Sequence, residues 1–392
     1  MRDCDMRVLD LAEFYSERGG GVRSYLDKML RHAGGLGHEV VVVAPGPSDE
    51  DTRVGDGGRI VRYAAPPMPY DPSYHAPIAI GRMRELVRAI DPDVLQVSSP
   101  FIPLWVAASL KVPLKTYVHH SDPIGCYVAP LAARHTQARL LESAAWAYLR
   151  RVTKTAHATI VAGAWLEREL NDHGCRNVHT VPFGIDHEGF SPAHRDDAFR
   201  GELLGELARD PDARLFLVGG RLAADKRQRL VIDALELVAK RRPVGLLLLG
   251  DGPERERLEE RGRKLPAFRA MRFTKDRAEY ARVLASVDVL AHGSLCETFG
   301  FFLAECLASG TPFVVPNRGG AADLAGLGWS ESYEAFGGPE ALAAAIERLL
   351  ARPRVHLSVA AAERARAIPT TRDHFAALFS TYSELLAGRR LV

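Results

Sequence analysis

Apolar positions along the chain follow two periods. Short continuous apolar runs read as buried strands, and stretches with apolar residues three and four apart read as amphipathic helices. Met6 to Leu11 is the first such run, followed by Gly19-Gly20-Gly21 and a helical period from Val22 to Leu36. Glu39 to Ala44 is a second strand, closed by Pro45 and Gly46. Residues 47–58 are polar and rich in Gly and Asp, a composition that predicts a mobile loop. Helices then read at Ile78 to Ile90, Phe101 to Leu110, Leu131 to His157 and Trp165 to Asn171. Strands alternate with them at Val94 to Ser98, Leu114 to His119, Thr159 to Ala162 and Val178 to Val181.

Residues 184–200 are polar with little periodicity and read as an interdomain connection. A second series follows, with strands at Leu215 to Val218, Gly245 to Leu249, Met271 to Phe273, Val287 to Ala291 and Phe313 to Val315. Its helices read at Arg229 to Lys240, Glu254 to Gly262, Ala278 to Ala285, Leu303 to Ala308, Pro339 to Leu350 and Val355 to Ala367. A last helix reads at Arg372 to Ala387. This alternation implies parallel sheets with right-handed crossovers. At 392 residues, two domains are expected.

The run Glu297-Thr298-Phe299-Gly300-Phe301-Phe302-Leu303-Ala304-Glu305 puts one carboxylate on the loop after a strand and a second inside the next helix. In an open α/β sheet, ligands bind at the carboxyl ends of strands. A carboxylate suits hydroxyl recognition, because it offers about four acceptor sites and no donor. A helix-start acid and a solvated helix face account for two isolated glutamates equally well.

Composition narrows the classes. Hydrophobic residues make up 47 % and charged residues 26 %, as in an ordinary globular protein, and a net charge of +2 gives no support to nucleic-acid binding. Cys4, Cys126, Cys175, Cys296 and Cys306 are odd in number and lack CxxC spacing, so free thiols in a reducing compartment are expected. Asp3, Asp5 and Asp10 and the lack of a long apolar run argue against a signal peptide, and no window approaches the ~20 apolar residues of a membrane span. Neither GxGxxG nor GxxxxGK[ST] is present, which disfavours a dinucleotide dehydrogenase and a P-loop ATPase.

Further clusters fall at strand ends. Gly19-Gly20-Gly21 opens a helix whose N–H groups could cradle a phosphate. His119-His120-Ser121-Asp122 follows a strand, and alternation lets one histidine face a ligand. Gly219-Gly220-Arg221 with Asp225-Lys226 pairs a rigid guanidinium fork with a mobile ammonium, a combination suited to a diphosphate. Gly250-Asp251-Gly252-Pro253 is a strand-to-helix turn open to close backbone approach. Each piece alone also reads as ordinary turn or surface chemistry. No spaced His/Asp/Glu set points to a metal.

In this order these residues resemble the retaining glycosyltransferases of family 4 (group 1). The match covers nearly the whole chain and is strongest from Gly219 to Gly320, where Gly310-Thr311-Pro312 and Gly319-Gly320 also fit. The resemblance implies an α/β GT-B fold, with two Rossmann-like doubly wound parallel-sheet domains facing a central cleft. Residues 1–190 would form the acceptor-binding domain, joined by a C-terminal helix at 371–392 that crosses back, and residues 191–370 the donor domain. It implies diphosphate binding by Arg221 and Lys226, sugar hydroxyl binding by Glu297 and ribose binding by Glu305. His120 would lie by the donor sugar. Gly20, Gly21, Gly220, Gly250, Phe299, Gly300 and Phe301 would supply backbone around the donor.

The implied activity is transfer of a hexose from a nucleotide diphosphate sugar, GDP-mannose ahead of a UDP-hexose, to a hydroxyl of a glycan, lipid or small-molecule acceptor. Retention of anomeric configuration, no metal and no cofactor are expected, in a cytoplasmic protein. Peripheral contact with the inner membrane face is raised by Arg134, Arg139, Arg150, Arg151 and Lys154, which are interleaved with Leu140, Leu141, Trp146 and Leu149. A core helix with a solvated basic face fits the same residues. A GT-B epimerase or glycan phosphorylase and a non-catalytic nucleotide-sugar-binding module stay open as alternatives, and the oligomeric state is not readable. The chain departs from the family pattern at His292-Gly293-Ser294, where Pro-Ser is usual, at Thr274-Lys275-Asp276-Arg277, which lacks the usual glycine, and at Thr370-Thr371-Arg372-Asp373, which lacks the usual tryptophan.

Overall fold

A computed structural model describes residues 6–16, 20–69, 71–122, 124–128 and 138–390. Gly19, Cys4 and Arg134 lie outside the described residues. The chain divides into two compact units, one of Met1–Ile124, Val128–Pro182 and Thr371–Val392, the other of Gly125–Tyr127 and Phe183–Thr370. The division therefore falls just before the polar stretch at 184–200.

The first unit holds β1 (Met6–Leu11), β2 (His38–Gly46), β3 (Glu50–Val54), β4 (Gly58–Ala64), β5 (Pro67–Met68), β6 (Asp71–His75), β7 (Val94–Val97), β8 (Leu114–Val118), β9 (Ala158–Val161) and β10 (Val178–Thr180). Its main sheet runs β10-β9-β8-β7-β1-β2-β4-β3. All neighbours are parallel except β3 on β4. Central strands read as unbroken apolar runs because both faces are covered; Val40 to Ala44 are all buried.

The loop expected at 47–58 is instead largely β3 and its turn into β4. Glu50 faces Arg62 across that ladder, and Asp51 accepts from Arg59 Nε at 2.7 Å. An exposed edge strand held by charge pairs carries no apolar signal, so hydropathy reads it as loop.

The last helix, Thr371–Arg390, belongs to this unit. Phe375, Leu378, Phe379 and Tyr382 form its buried stripe, at the three- and four-residue spacing of an amphipathic helix. The basic helix expected from Leu131 is described as Ala138–Thr153. Trp146 and Leu149 belong to the core, with Trp146 stacked on His173 at 3.7 Å, while Leu140 and Leu141 are exposed.

The second unit is a six-stranded parallel sheet of β11 (Arg214–Gly219), β12 (Val244–Leu249), β13 (Ala267–Met271), β14 (Val289–Ala291), β15 (Phe313–Pro316) and β16 (Ser330–Tyr333), ordered β13-β12-β11-β14-β15-β16. The strand expected at Met271 to Phe273 lies earlier in the chain. Strand β16, Ser-Glu-Ser-Tyr, was invisible to hydropathy because only its ends are buried.

Part of the polar 184–200 segment is helix Asp197–Leu204, capped by Asp196, whose carboxylate accepts from Phe199 N at 2.9 Å. Asp288 anchors that region. Its fully buried carboxylate accepts from Leu215 N, from Arg200 Nε at 2.9 Å and from Arg195 Nη2 at 3.2 Å. Several donors on one carboxylate offset its desolvation, so the second unit begins with a fixed attachment.

The cysteines correct the expectation of free thiols. Cys126 and Cys296 form a disulfide across 170 positions, while Cys175 and Cys306 are free and buried. Spacing that long leaves no mark on the sequence. Closing so long a loop restricts the unfolded chain by up to about 5 kcal/mol in the chain-entropy picture. Non-reducing peptide mapping should recover the Cys126 and Cys296 peptides joined, and reduction should lower the melting temperature. Two separately alkylated peptides from unreduced protein would refute the bond.

Candidate active site

The second unit's strand order reverses between β11 and β14, whose carboxyl ends are therefore neighbours. The loop after β11 carries Arg221 and Lys226, and the loop after β14 carries Glu297. Lys226 Nζ lies 2.5 Å from Glu297 Oε1, with both side chains about four-fifths buried at 22 % and 18 % exposure. Burial alone would raise the Glu297 carboxyl. The Lys226 ammonium and His292 overcome burial and hold it well below the usual carboxylate range. His292 Nε2 stands 3.4 Å from the same oxygen. Its backbone carbonyl accepts from the Tyr333 hydroxyl at 3.2 Å, which fixes the strand exit.

Sequence departure at His292-Gly293-Ser294 thus has a local reason. A side chain at 293 would stand 2.8 Å from Arg227 O and 3.0 Å from Lys226 O, so glycine lets the two loops meet. Gly250 serves the next loop in the same way. Its φ is 138°, and a Cβ there would fall 2.0 Å from Gly220 O. Gly220 and Gly250 are therefore brought together.

Arg221 is half-exposed and turns to Asp225, with Nη2 at 2.9 Å from both carboxylate oxygens. Its backbone carbonyl accepts from Gln228 Nε2 at 2.8 Å. Gly300 precedes the helix Phe301–Ala308, with Phe299 and Phe301 packed on Phe183 at ring distances of 5.6 and 5.2 Å. Glu305 lies within that helix and accepts from the Tyr280 hydroxyl at 2.9 Å. Burial, and then the Glu305 charge, push the Tyr280 phenol well up, so it remains a donor. Phe273 packs on Tyr280 at 5.2 Å yet is 60 % exposed.

Among the described residues, Cys126, Asp225 and Cys296 have ligand atoms close enough for one metal ion, but the two sulfurs are joined to each other. No thiolate is offered in that state.

The first unit has its own reversal, between β1 and β7. Among the described residues, Gly20 and Gly21 open helix Gly21–Ala33 with no side-chain cap, and a Cβ on either glycine would meet nothing within 4 Å. Packing against the described residues does not demand these glycines. At the end of β8 the two histidines diverge as alternation requires. His119 is buried with Nδ1 2.6 Å from Tyr117 O–H, while His120 Nε2 lies 3.2 Å from Ser98 Oγ. Burial pushes His119 down to about 4 and His120 to about 3, so both are neutral at physiological pH.

Several site residues escaped the sequence. Asp10 carried a readable signal, a carboxylate within the apolar run Val8-Leu9-Asp10-Leu11, and such a group must find partners. Gln96 shows the same sign in β7. Tyr280 and Tyr382 carried none, because an aromatic on an amphipathic helix reads as core.

Two family patterns match the chain, Glycosyltransferase Family 4 over residues 19–188 and Glycosyl transferases group 1 over residues 200–368. A GDP-mannose-dependent alpha-mannosyltransferase of Mycobacterium tuberculosis is 32 % identical over 333 residues, covering 82 % of each chain. A protein of the same description from Mycolicibacterium smegmatis is 31 % identical over 98 % of this chain and 99 % of its own. Among solved structures, sucrose-phosphate synthase from Thermosynechococcus elongatus superposes with a TM-score of 0.76 at 17 % identity, over 97 % of this chain and 99 % of that one. Anabaena HepE in complex with UDP and glucose gives 0.69 at 18 % identity, over 96 % and 99 %. The chain is a glycosyltransferase enzyme and belongs to family 4, group 1, with the GT-B fold.

Proposed function

We propose that this glycosyltransferase moves mannose from GDP-mannose to a hydroxyl acceptor with retention of configuration and without a metal. The observation that carries the reading is the Lys226–Glu297 pair at the reversal of the second sheet. A largely buried ammonium beside a hydroxyl-binding carboxylate suits a donor with a diphosphate next to a sugar. The relatives named above supply the preference for GDP-mannose over UDP-hexoses.

In this reading the C1–phosphate bond breaks and the acceptor oxygen bonds to C1 on the same face of the sugar. The acceptor's proton passes to the departing diphosphate oxygen. Lys226 and Arg221 stabilise the leaving anion, and the backbone of Gly220, Gly250 and Phe299 to Phe301 lies along the donor. The positive charge of Lys226 and Arg221 makes a metal unnecessary for the leaving group.

Glu297 holds sugar hydroxyls. Its carboxyl stays ionised, which favours a permanent acceptor over a proton carrier. Glu305 takes the ribose, with Tyr280 fixing its orientation, and the exposed Phe273 ring offers a face to the base. His120 is assigned to the transferred sugar. The first unit is assigned to the acceptor and the second to the donor.

Among the described residues no helix is long and apolar enough to cross a membrane. Leu140 and Leu141 are nonetheless exposed at 75 % and 61 % on a helix that also exposes Arg139 and Arg151, with Lys154 exposed just past its end. Peripheral contact with an anionic lipid surface, and a lipid acceptor, fit that face.

Lys226→Ala or Arg221→Ala should lower kcat by about 10²-fold. The Lys226 variant leaves the Glu297 carboxylate without its cation, at a cost of about 3 kcal/mol, so its melting temperature must be measured beside its rate. Normal turnover in either folded variant would remove that residue from the mechanism. In a thermal-shift panel, GDP-mannose at about 100 times its Kd should add about 2.7 kcal/mol, with UDP-glucose giving less and a chelator changing neither. Preferential stabilisation by UDP-glucose would reassign the donor, and loss of turnover with chelator would restore a metal. Anionic vesicles at low salt should sediment the protein, and Leu140→Glu with Leu141→Glu should abolish this. Failure of the wild-type protein to sediment would dismiss the membrane face.

A further inference from the structure

A buried polar chain in the first unit has no part in the reading above. Thr116 Oγ1 donates to the Tyr382 oxygen at 3.4 Å, and the Tyr382 hydroxyl donates to Gln96 Oε1 at 2.6 Å. Gln96 Nε2 then donates to Asp10 Oδ2 at 2.6 Å. From the other side the Ser98 hydroxyl donates to the same Oδ2 at 2.7 Å, and His120 Nε2 approaches Ser98 Oγ at 3.2 Å. Asp10, Gln96, Thr116 and Tyr382 are fully buried or within 1 % of it, and Ser98 is 5 % exposed.

Hydrogen accounting gives this chain a direction. An ionised carboxylate only accepts, and a serine has one hydrogen to donate. With that hydrogen committed to Asp10, Ser98 can only accept from His120. Neutral imidazole carries a single N–H, so His120 must hold it on Nε2 and present Nδ1 as an acceptor. Protonating Asp10 reverses the order. Asp10 Oδ1 has no hydrogen-bond partner among the described residues, so the added proton is best placed on Oδ2, donating to Ser98. Ser98 then donates to Nε2, and the imidazole hydrogen sits on Nδ1. The count balances if one proton enters at Nδ1 while the Nε2 hydrogen passes to Ser98 and the Ser98 hydrogen to Asp10.

We infer that Asp10 and Ser98 are positioning residues for His120, setting through one hydroxyl whether its Nδ1 accepts or donates a hydrogen bond. Burial raises Asp10 to about 7, against the donation from Ser98 and Gln96, so both orders are reached near neutrality. The tyrosines and histidines around the chain keep their state there. Tyr25, whose ring meets His120 edge-on at 4.7 Å, and Tyr382 are pushed well up by burial. His119 and His374 are pushed down to about 4, the latter with Lys28 adding to the effect of burial. Glu13, also raised by burial, is bound at 2.6 Å by the neighbouring Ser99.

The consequence for transfer rests on the assignment of His120 to the transferred sugar, whereas the tautomer itself does not. Full-length protein with isotope-labelled histidine, read by nitrogen NMR, should show His120 with a protonated Nε2 at about pH 8.5 and a protonated Nδ1 at about pH 5.5. Ser98→Ala should abolish this exchange, and Ser98→Thr, which keeps the hydroxyl, should restore it, with melting temperatures confirming that each variant folds. Asp10→Asn should remove the pH dependence in the same way, and Glu13→Gln should keep it. A wild-type His120 with one tautomer at both pH values, or an exchange that survives Ser98→Ala, would overturn the inference. Turnover gives the separate reading: an undiminished rate in His120→Ala would refute the sugar assignment and leave the tautomer result standing.

Discussion

Both units depend on the geometry of parallel pairing. A parallel neighbour cannot be reached by a tight turn, so each strand must leave through a loop and return by a crossover. All the carboxyl ends then open on one edge, and where the strand order reverses, two of their loops diverge and leave a crevice. In the second unit the carboxyl ends of β11 and β14 border that crevice side by side, and Lys226 and Glu297, 71 positions apart, meet there. In the first unit the same geometry joins Asp10, at the end of β1, to Gln96 and Ser98, at the end of β7. Glycine-lined contacts at Gly250 and Gly293 let the loops of the second unit approach closely enough for charged side chains to meet.

That meeting sets the chemistry available. Lys226 and Glu297 neutralise each other in a site too dry to leave either alone, and Arg221 is balanced by Asp225. An incoming diphosphate would exchange these carboxylates for phosphate oxygens, so Lys226 is already largely desolvated and both cations are oriented when the ligand arrives. Glu297 would exchange an ammonium for sugar hydroxyls.

The sequence made the alternation of strands and helices legible because buried parallel strands are continuous apolar runs. It failed where structure is held by charge or by sparse burial. Strand β3 is secured by Arg59 and Asp51, and β16 by two buried end residues, and neither leaves an apolar run. The candidate site was legible in its glycines and charges after strands only through their combination and order, because each alone is ordinary strand–helix turn chemistry. Tyr280, Tyr382 and Cys126 were not, since their partners lie 25, 286 and 170 positions away and their own neighbourhoods are ordinary.

The two carboxylates at the two reversals are driven in opposite directions. Asp10 is buried among neutral donors, so its folded value is raised. The folded chain then binds more protons than the unfolded one between the ordinary value of 3.8 and about 7, and Asp10 costs stability as pH rises through that window. Glu297 is buried against a cation, so its folded value is lowered. Its contribution is present above its ordinary value of 4.5 and is lost as pH falls. The difference between a fixed charge and a movable proton thus comes from the neighbours, above all the ammonium that Asp10 lacks. Carboxylates at two sheet reversals, one within a strand and one in the loop beyond a strand, thus acquire different chemistry, one protonic and one electrostatic.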